Sequence, residues 1–310
     1  MIIDFHTHIW TEEMLSPGYK KYLNNFSEIA QIDTNQYKAD PNNLIEDLDE
    51  AEIDKAVIFV TDYSFTEAKM AISIEDYINY IVKSCDEYND KFIGLVGVDP
   101  RHGEKALDLI KYGIEQGLKG LVLTPTTGFY LNDKIVTPLY DLARELKIPI
   151  IIHDFELVPM PFALKYIDPF TLDDALMKYP DVKFVIAPIG MAMGQTVMII
   201  AIRHLSHVYG EISGFSTQFM VNKMPDMFLV QPLGMAKTLY GSENMFFGSN
   251  WPFFENVVPL KEWLHKIRSA KLPLLMRPFG FPSLEDEDRK NILGKNAADL
   301  FGLKIRPNKK

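Results

Sequence analysis

The chain has 310 residues, 47% of them hydrophobic and 24% charged, an ordinary globular composition with enough apolar mass for a large core. The formal net charge is -10 and nothing resembles a basic stripe, which argues against nucleic acid or an anionic membrane as partner. One cysteine, Cys85, excludes a disulfide framework, and apolar runs such as 197–202 are too short to span a bilayer.

The chain opens on what reads as a strand, IIDF (2–5), rather than on a basic, apolar leader, so a cytoplasmic protein is expected. An insertion, 11–40, precedes the helical segment NNLIEDLDEAEI and a second strand, KAVIFV (55–60). AISIEDYINYIVKSCDEY reads as a helix that carries Cys85 as a buried, unreactive thiol, and FIGLVGV (92–98) follows it. EKALDLIKYGIEQG leads into KGLVL (119–123), VTPLYDLARELK into IPIII (148–152), and TLDDALMKY into VKFVI (182–186). A helical stretch with His204 and His207 leads to EISGF (211–215), and FLVQPLGMAKTLYG to NMFFG (244–248). A second insertion, 252–283, mixes Pro252, Phe253, Phe254, Pro259, Trp263, Pro273 and Pro278. The helix DEDRKNILGKNAADLFGL closes the pattern.

Most of these strands are continuous apolar runs, as expected of strands buried on both faces. Eight of them alternating with helical segments point to an α/β fold, a single (β/α)8 TIM barrel over 1–310. A doubly wound sheet ranks behind it, because no G-x-G-x-x-G follows an early strand. Both insertions leave from C-terminal strand ends. They are therefore expected to be neighbours over the barrel mouth, as lid or pocket wall, or else as an interface or padding.

The first strand runs into His6-Thr7-His8. Residues two apart on a strand face one side, so His6 and His8 should converge, with Phe5 and Thr7 on the other side. His153 follows IPIII at the end of the fifth strand, which lies across an eight-stranded barrel from the first. Three histidines are the ligand count of a catalytic zinc site with one open position. One divalent ion is expected, zinc first, with manganese, iron or no metal as alternatives. His102, His204, His207 and His265 are expected in surface or capping roles. Asp4 shares the parity of the pair. It either orients His6 as an acceptor or is simply buried against backbone donors.

IIDFHTHIW, LKGLVLTPTTGFYLNDKIVTPLYDLARELKIPIIIHDF, MFFGSNWPF and ILGKNAADLFGL together resemble the amidohydrolase superfamily, in the branch that includes aminocarboxymuconate-semialdehyde decarboxylase, the resorcylate decarboxylases and certain lactone hydrolases. The resemblance implies the barrel and a metal held by His6, His8 and His153. It also implies a histidine after the sixth strand, where FVIAPIGMAMG places Pro188, and an aspartate after the eighth, where FFGSNWPF places Asn250. Proline offers no side-chain base, and an amide can touch a metal but cannot take a proton as a carboxylate can.

Substitute bases stand at other strand ends: Asp154 and Glu156 after the fifth, Asp62 after the second, Asp99 after the third. Each of these acids has helix capping or a lysine partner as the alternative. Asp154 and the variant ligand Asn250 are the expected catalytic pair, with Trp251 contacting substrate and Arg101 either binding a substrate carboxylate or forming a loop salt bridge. The resulting expectation is a metal-dependent hydrolase or decarboxylase acting on a small carboxylated or cyclic molecule. The alternative is a non-catalytic member that kept the fold and lost its acid–base groups. The resemblance also suggests a homodimer.

Overall fold

Eight parallel strands follow one another in chain order in this computed structural model, each hydrogen-bonded to the next. They are β1 (Ile3–Thr7), β2 (Lys55–Phe59), β3 (Phe92–Gly97), β4 (Leu121–Leu123), β5 (Ile150–His153), β6 (Phe184–Ala187), β7 (Val208–Glu211) and β8 (Met245–Phe246). The ends meet: Phe5 N donates to Phe247 O and His8 N to Trp251 O, both at 2.8 Å. The result is the (β/α)8 barrel that the strand count predicts. The structure describes residues 1–30, 38–153, 159–189, 194–216, 227–271 and 283–304.

Helices fill the connections: α1 (Pro17–Ala30), α2 (Pro41–Glu50), α3 (Ile74–Glu87), α4 (Glu104–Glu115), α5 (Thr137–Leu146), α6 (Pro169–Lys178), α7 (Gly194–Arg203), α8 (Met227–Tyr240), α9 (Leu260–Ser269), α10 (Asp286–Lys290) and α11 (Asn296–Leu300). Their starts are written locally. Asp40, Ser73 and Asp168 accept first-turn backbone N–H groups of α2, α3 and α6, and Pro41 and Pro169 occupy the first helical position. Each such cap contributes about 1 kcal/mol. On α3, burial pushes the Cys85 thiol up to about 12, which fits the inert thiol expected there. Among the described residues no helix is long and apolar enough to cross a membrane.

Two apolar layers result. The outer one joins the helices to the strand residues that face them, such as Ala56, Ile58 and Val60. The inner one fills the barrel with Ile3, Phe5, Val57, Phe59, Ile93, Leu95, Val122, Ile151, Val185, Ala187 and Phe246. Ala297 and Ala298 of α11 join it, and Phe5 stacks on Phe246 at 4.4 Å and on Phe301 at 5.6 Å. The barrel is a packed core, with its open end at the C-terminal strand ends.

Phe5 is thus an interior residue, contrary to the simple alternation expected of β1. The register explains it. Asp4 lies opposite Ala56 and Thr7 opposite Ile58, so β1 carries one extra residue against β2. At this bulge both Phe5 and His6 turn inward, Thr7 turns out to donate to Val57 O at 2.8 Å, and His8 turns in again. The two histidines do converge, but through the bulge. Asp4 lies on the far side of it from His6.

The seventh strand differs from expectation by three residues. It is VYGE at 208–211, and Ser213–Phe215 form a 3-10 turn. His204 and His207 occupy the preceding turn. Both are buried, with His204 Nε2 2.8 Å from Asp173 Oδ1, and neither is a surface residue. The chain after β1 and the chain after β8 touch. Phe26 of α1 packs on Phe253 at 5.3 Å and on Phe254 at 6.1 Å. Pro273 and Pro278 lie outside the described residues.

Candidate metal centre

His6 Nε2 lies 3.1 Å from both His8 Nε2 and His153 Nε2. Asn250 Oδ1 stands 3.1 Å from His8 Nε2. Three imidazole nitrogens, one from each ring, lie within 4.8 Å of one another. Nitrogens that share an ion at about 2.1 Å are separated by roughly 3.0–3.4 Å, so the triad has the spacing of a ligand set. The donor set therefore fits a divalent ion held by His6, His8 and His153, with Asn250 adjoining.

Each ligand is placed by its strand end. His6 and His8 ride on the β1 bulge, and His153 is the last residue of β5. Asn250 follows β8 with φ 57°, a left-handed conformation that asparagine tolerates better than most residues. Its N–H donates to His6 O at 2.9 Å, which ties the amide to the strand that carries the histidines. Phe59 lies against all three rings, with centroids at 5.4, 4.7 and 5.2 Å from His6, His8 and His153. Phe253 approaches His8 at 5.3 Å, Tyr22 packs on Phe253, and Tyr63 and Phe162 pack on Tyr22 and on each other, so a run of aromatic rings leads up to the cluster. Burial holds His8 well below the ordinary histidine range, and the neighbouring His153 and His6 push it further down. A neutral imidazole is the form that binds metal.

A residue absent from the sequence expectations completes the geometry. Glu211, fully buried at the end of β7, has Oε2 2.7 Å from His6 Nδ1. Ser213 Oγ donates to the same oxygen at 2.8 Å, and Ser213 N–H donates to Oε1. With Glu211 accepting from Nδ1, the His6 lone pair sits on Nε2, toward the other rings. Burial pushes Glu211 up to about 8, against the Ser213 hydrogen bonds that pull it down. A cation among the imidazoles favours its carboxylate form. The available signal was a lone acid inside the apolar run VYGEISGF.

Asp4 takes the backbone role that the sequence left open. It accepts from Ser249 N at 3.0 Å, Ser249 Oγ at 2.6 Å and His6 N at 3.1 Å, stitching β1 to the chain after β8. Burial pushes it up to about 7 despite these donors. Pro188 directly follows β6, where no side-chain acid or base is then available.

The remaining expected residues have other partners. Arg101 holds Asp99 through Nε at 2.9 Å and Nη2 at 2.6 Å, and its Nη2 also donates to Thr127 O at 2.9 Å. Asp62 accepts from Ser64 N at 3.0 Å and Asp99 N at 2.8 Å, and its Oδ2 lies 3.0 Å from His102 Nε2. The Trp251 indole donates to Asp47 Oδ2 of α2 at 2.8 Å, so its polar edge is turned to the helix layer. Asp154 and Glu156 lie outside the described residues.

A family model described as amidohydrolase matches residues 3–303. No curated protein matches the chain. Among solved structures, an uncharacterised TIM-barrel protein from Bordetella bronchiseptica shares the fold at a TM-score of 0.73 and 18% identity, covering 97% of this chain and 98% of that one. A probable 2-pyrone-4,6-dicarboxylic acid hydrolase from Acinetobacter baumannii gives 0.63 and 16%, over 97% and 99%. A 5-carboxyvanillate decarboxylase from Novosphingobium aromaticivorans, complexed with manganese and a nitrobenzoic acid, gives 0.64 and 16%, over 98% and 96%. At these identities the structural likenesses establish the barrel.

Proposed function

This chain belongs to the amidohydrolase family, and from that membership we propose that it is a metal-dependent hydrolase or decarboxylase of a small carboxylated or cyclic substrate. The observation that carries the reading is the convergence of His6, His8 and His153, with two ring–ring nitrogen distances of 3.1 Å. Zinc is the proposed ion, with manganese or iron as alternatives, since imidazole suits all three. When bound, such an ion supplies Lewis acidity and lowers the pKa of water toward about 7.

The chain's own residues supply position and a dry wall. Asn250 presents a neutral oxygen beside His8. It can orient a polar group there and cannot accept a proton from it. Asp154, next to His153, is the proposed proton acceptor. Arg101, its guanidinium fixed by Asp99, is the proposed contact for a substrate carboxylate. Phe59, Phe253 and the rings around them exclude water and present flat surfaces to a cyclic substrate. Such a protein would work as a cytoplasmic homodimer.

Pro188 and Asn250 also favour a second reading, a barrel that binds metal and ligand without turnover. One experiment separates the two. Protein purified without chelator is analysed for metal, then assayed on lactones and aromatic carboxylates beside Asn250→Asp. Copurified metal with turnover supports the enzyme. Metal without turnover, and a large gain in Asn250→Asp, supports the second reading. No copurified metal and no micromolar binding of Zn, Mn or Fe overturns both.

A further inference from the structure

We propose that Glu211 is the positioning residue and counter-charge of the imidazole cluster, acting on the ion through His6. The inference rests on the metal reading above and goes beyond it in naming where the negative charge sits. The nitrogens of His6, His8 and His153 and the Asn250 oxygen are all neutral donors. A dication enclosed by neutral ligands in a buried site keeps its full charge, and that is costly unless an anion lies close by.

Among the described residues, Glu211 is the carboxylate that touches a triad ring, at 2.7 Å from His6 Nδ1. Asp4 is also buried nearby, but Ser249 and the His6 backbone take both its oxygens, and it reaches no ring. The placement of Glu211 is built into the fold. Ser213 grips both of its oxygens from the turn after β7. Gly248, just beyond β8, leaves the space: a Cβ there would lie 2.2 Å from Glu211 Oε1 and 2.8 Å from His6 Cβ. Any larger residue at 248 would push the carboxylate off the ring. The bulge in β1 turns His6 toward this space. Three strands thus contribute to one carboxylate–imidazole contact, far more organisation than a buried side chain needs for packing alone. A carboxylate accepting from Nδ1 fixes the tautomer, makes Nε2 a stronger donor and brings negative charge one ring away from the ion.

The test is metal binding by calorimetry, with Zn²⁺ or Mn²⁺ alone, to the full chain and to three variants. Glu211→Gln keeps the shape and removes the charge. It should weaken affinity by about 10–100-fold. Adding Asn250→Asp to that variant restores a negative charge on the other side of the cluster and should recover at least about tenfold of the loss. Asn250→Asp in the parent is the control: a counter-charge role predicts a larger gain in the Glu211→Gln background, a purely structural role the same gain in both. Affinity of Glu211→Gln within twofold of the parent, or a double variant no tighter than the single one, overturns the proposal while leaving the metal reading intact. A parent chain that binds neither ion overturns both. If Glu211→Gln fails to fold by circular dichroism, the ¹⁵N spectrum of the parent decides: the His6 proton on Nδ1 supports the proposal, and on Nε2 overturns it.

Discussion

Two clusters of polar side chains occupy the same end of the barrel. Around β1, β5, β7 and β8, three imidazoles point their Nε2 atoms at one another, with 3.1 Å between neighbours. Around β2, β3 and β4, Asp62, Asp99, Arg101, His102 and Thr127 are joined acid to donor, with Thr127 Oγ1 donating to Asp99 at 2.7 Å and Arg101 gripping it with two nitrogens. In the second cluster buried acids meet protein donors, while part of the Arg101 guanidinium stays exposed. In the first, ring nitrogens from the ends of β1 and β5 converge at the spacing of a set that could hold a cation. Position at a strand end is common to both. What separates the two is composition: one gathers imidazole nitrogens that can share an ion, the other pairs acids with protein donors.

The largest expected effect tests this difference directly. Adding Zn²⁺ or Mn²⁺ at about a hundred times its dissociation constant should stabilise the parent protein by about 2.7 kcal/mol, read as a rise in thermal midpoint. His153→Ala removes one of three ligands and should abolish that rise, while the metal-free midpoint changes little by comparison. A midpoint that responds equally to metal in His153→Ala would place the ion elsewhere.

The carboxylate network should behave in the opposite way. Asp99 is nearly fully buried, whereas the Arg101 side chain keeps 28% of its surface exposed. Asp99→Ala strands the guanidinium and the Thr127 hydroxyl. It should cost about 2 kcal/mol by denaturant unfolding, below the range for a wholly buried pair because water reaches Arg101. Metal affinity should be unchanged. A fall in affinity in this variant would merge the two clusters into one site.

The barrel was legible in the sequence because its strands are short apolar runs at regular spacing, a signal that local irregularities do not erase. The triad was legible because its histidines stand at strand ends. The irregularities themselves were not legible. The extra residue in β1 overrides simple alternation, so Phe5 turns inward beside His6. Reading β7 as 211–215 instead of Val208–Glu211 moved Glu211 from the mouth end of its strand to the opposite end, where an acid has no reason to matter. One strand offset by three residues thus hid the carboxylate that, among the described residues, touches the candidate ligand set. Gly210 inside VYGE weakens the strand signal, and Ile212 and Phe215 beyond it imitate one. Arg101 and Trp251 show the converse limit: the sequence places them at strand ends but does not reveal the acids, Asp99 and Asp47, that engage them.

The smallest expected effect is a pH dependence confined to the second cluster. The hydrogen bond that His102 donates to Asp62 raises the histidine above its usual value of 6.5, against the effect of burial. Asp62 is raised by burial, but the hydrogen bonds from His102, Ser64 and Asp99 outweigh this and leave it below 3.8. For the histidine, folding favours the protonated form, so its contribution is full below pH 6.5 and fades as pH rises through the higher folded value. For the aspartate, folding favours the ionised form, so its contribution is present above 3.8 and is lost as pH falls through the depressed folded value. The pair therefore stabilises most between these limits. His102→Gln should remove the alkaline decline, with a difference between parent and variant of under about 1 kcal/mol because His102 is partly solvated. Urea midpoints at pH 6 and pH 9 measure it. A parent–variant difference that is the same at both pH values would mean that His102 acts through its ring packing on Phe65, at 4.7 Å, and not through charge.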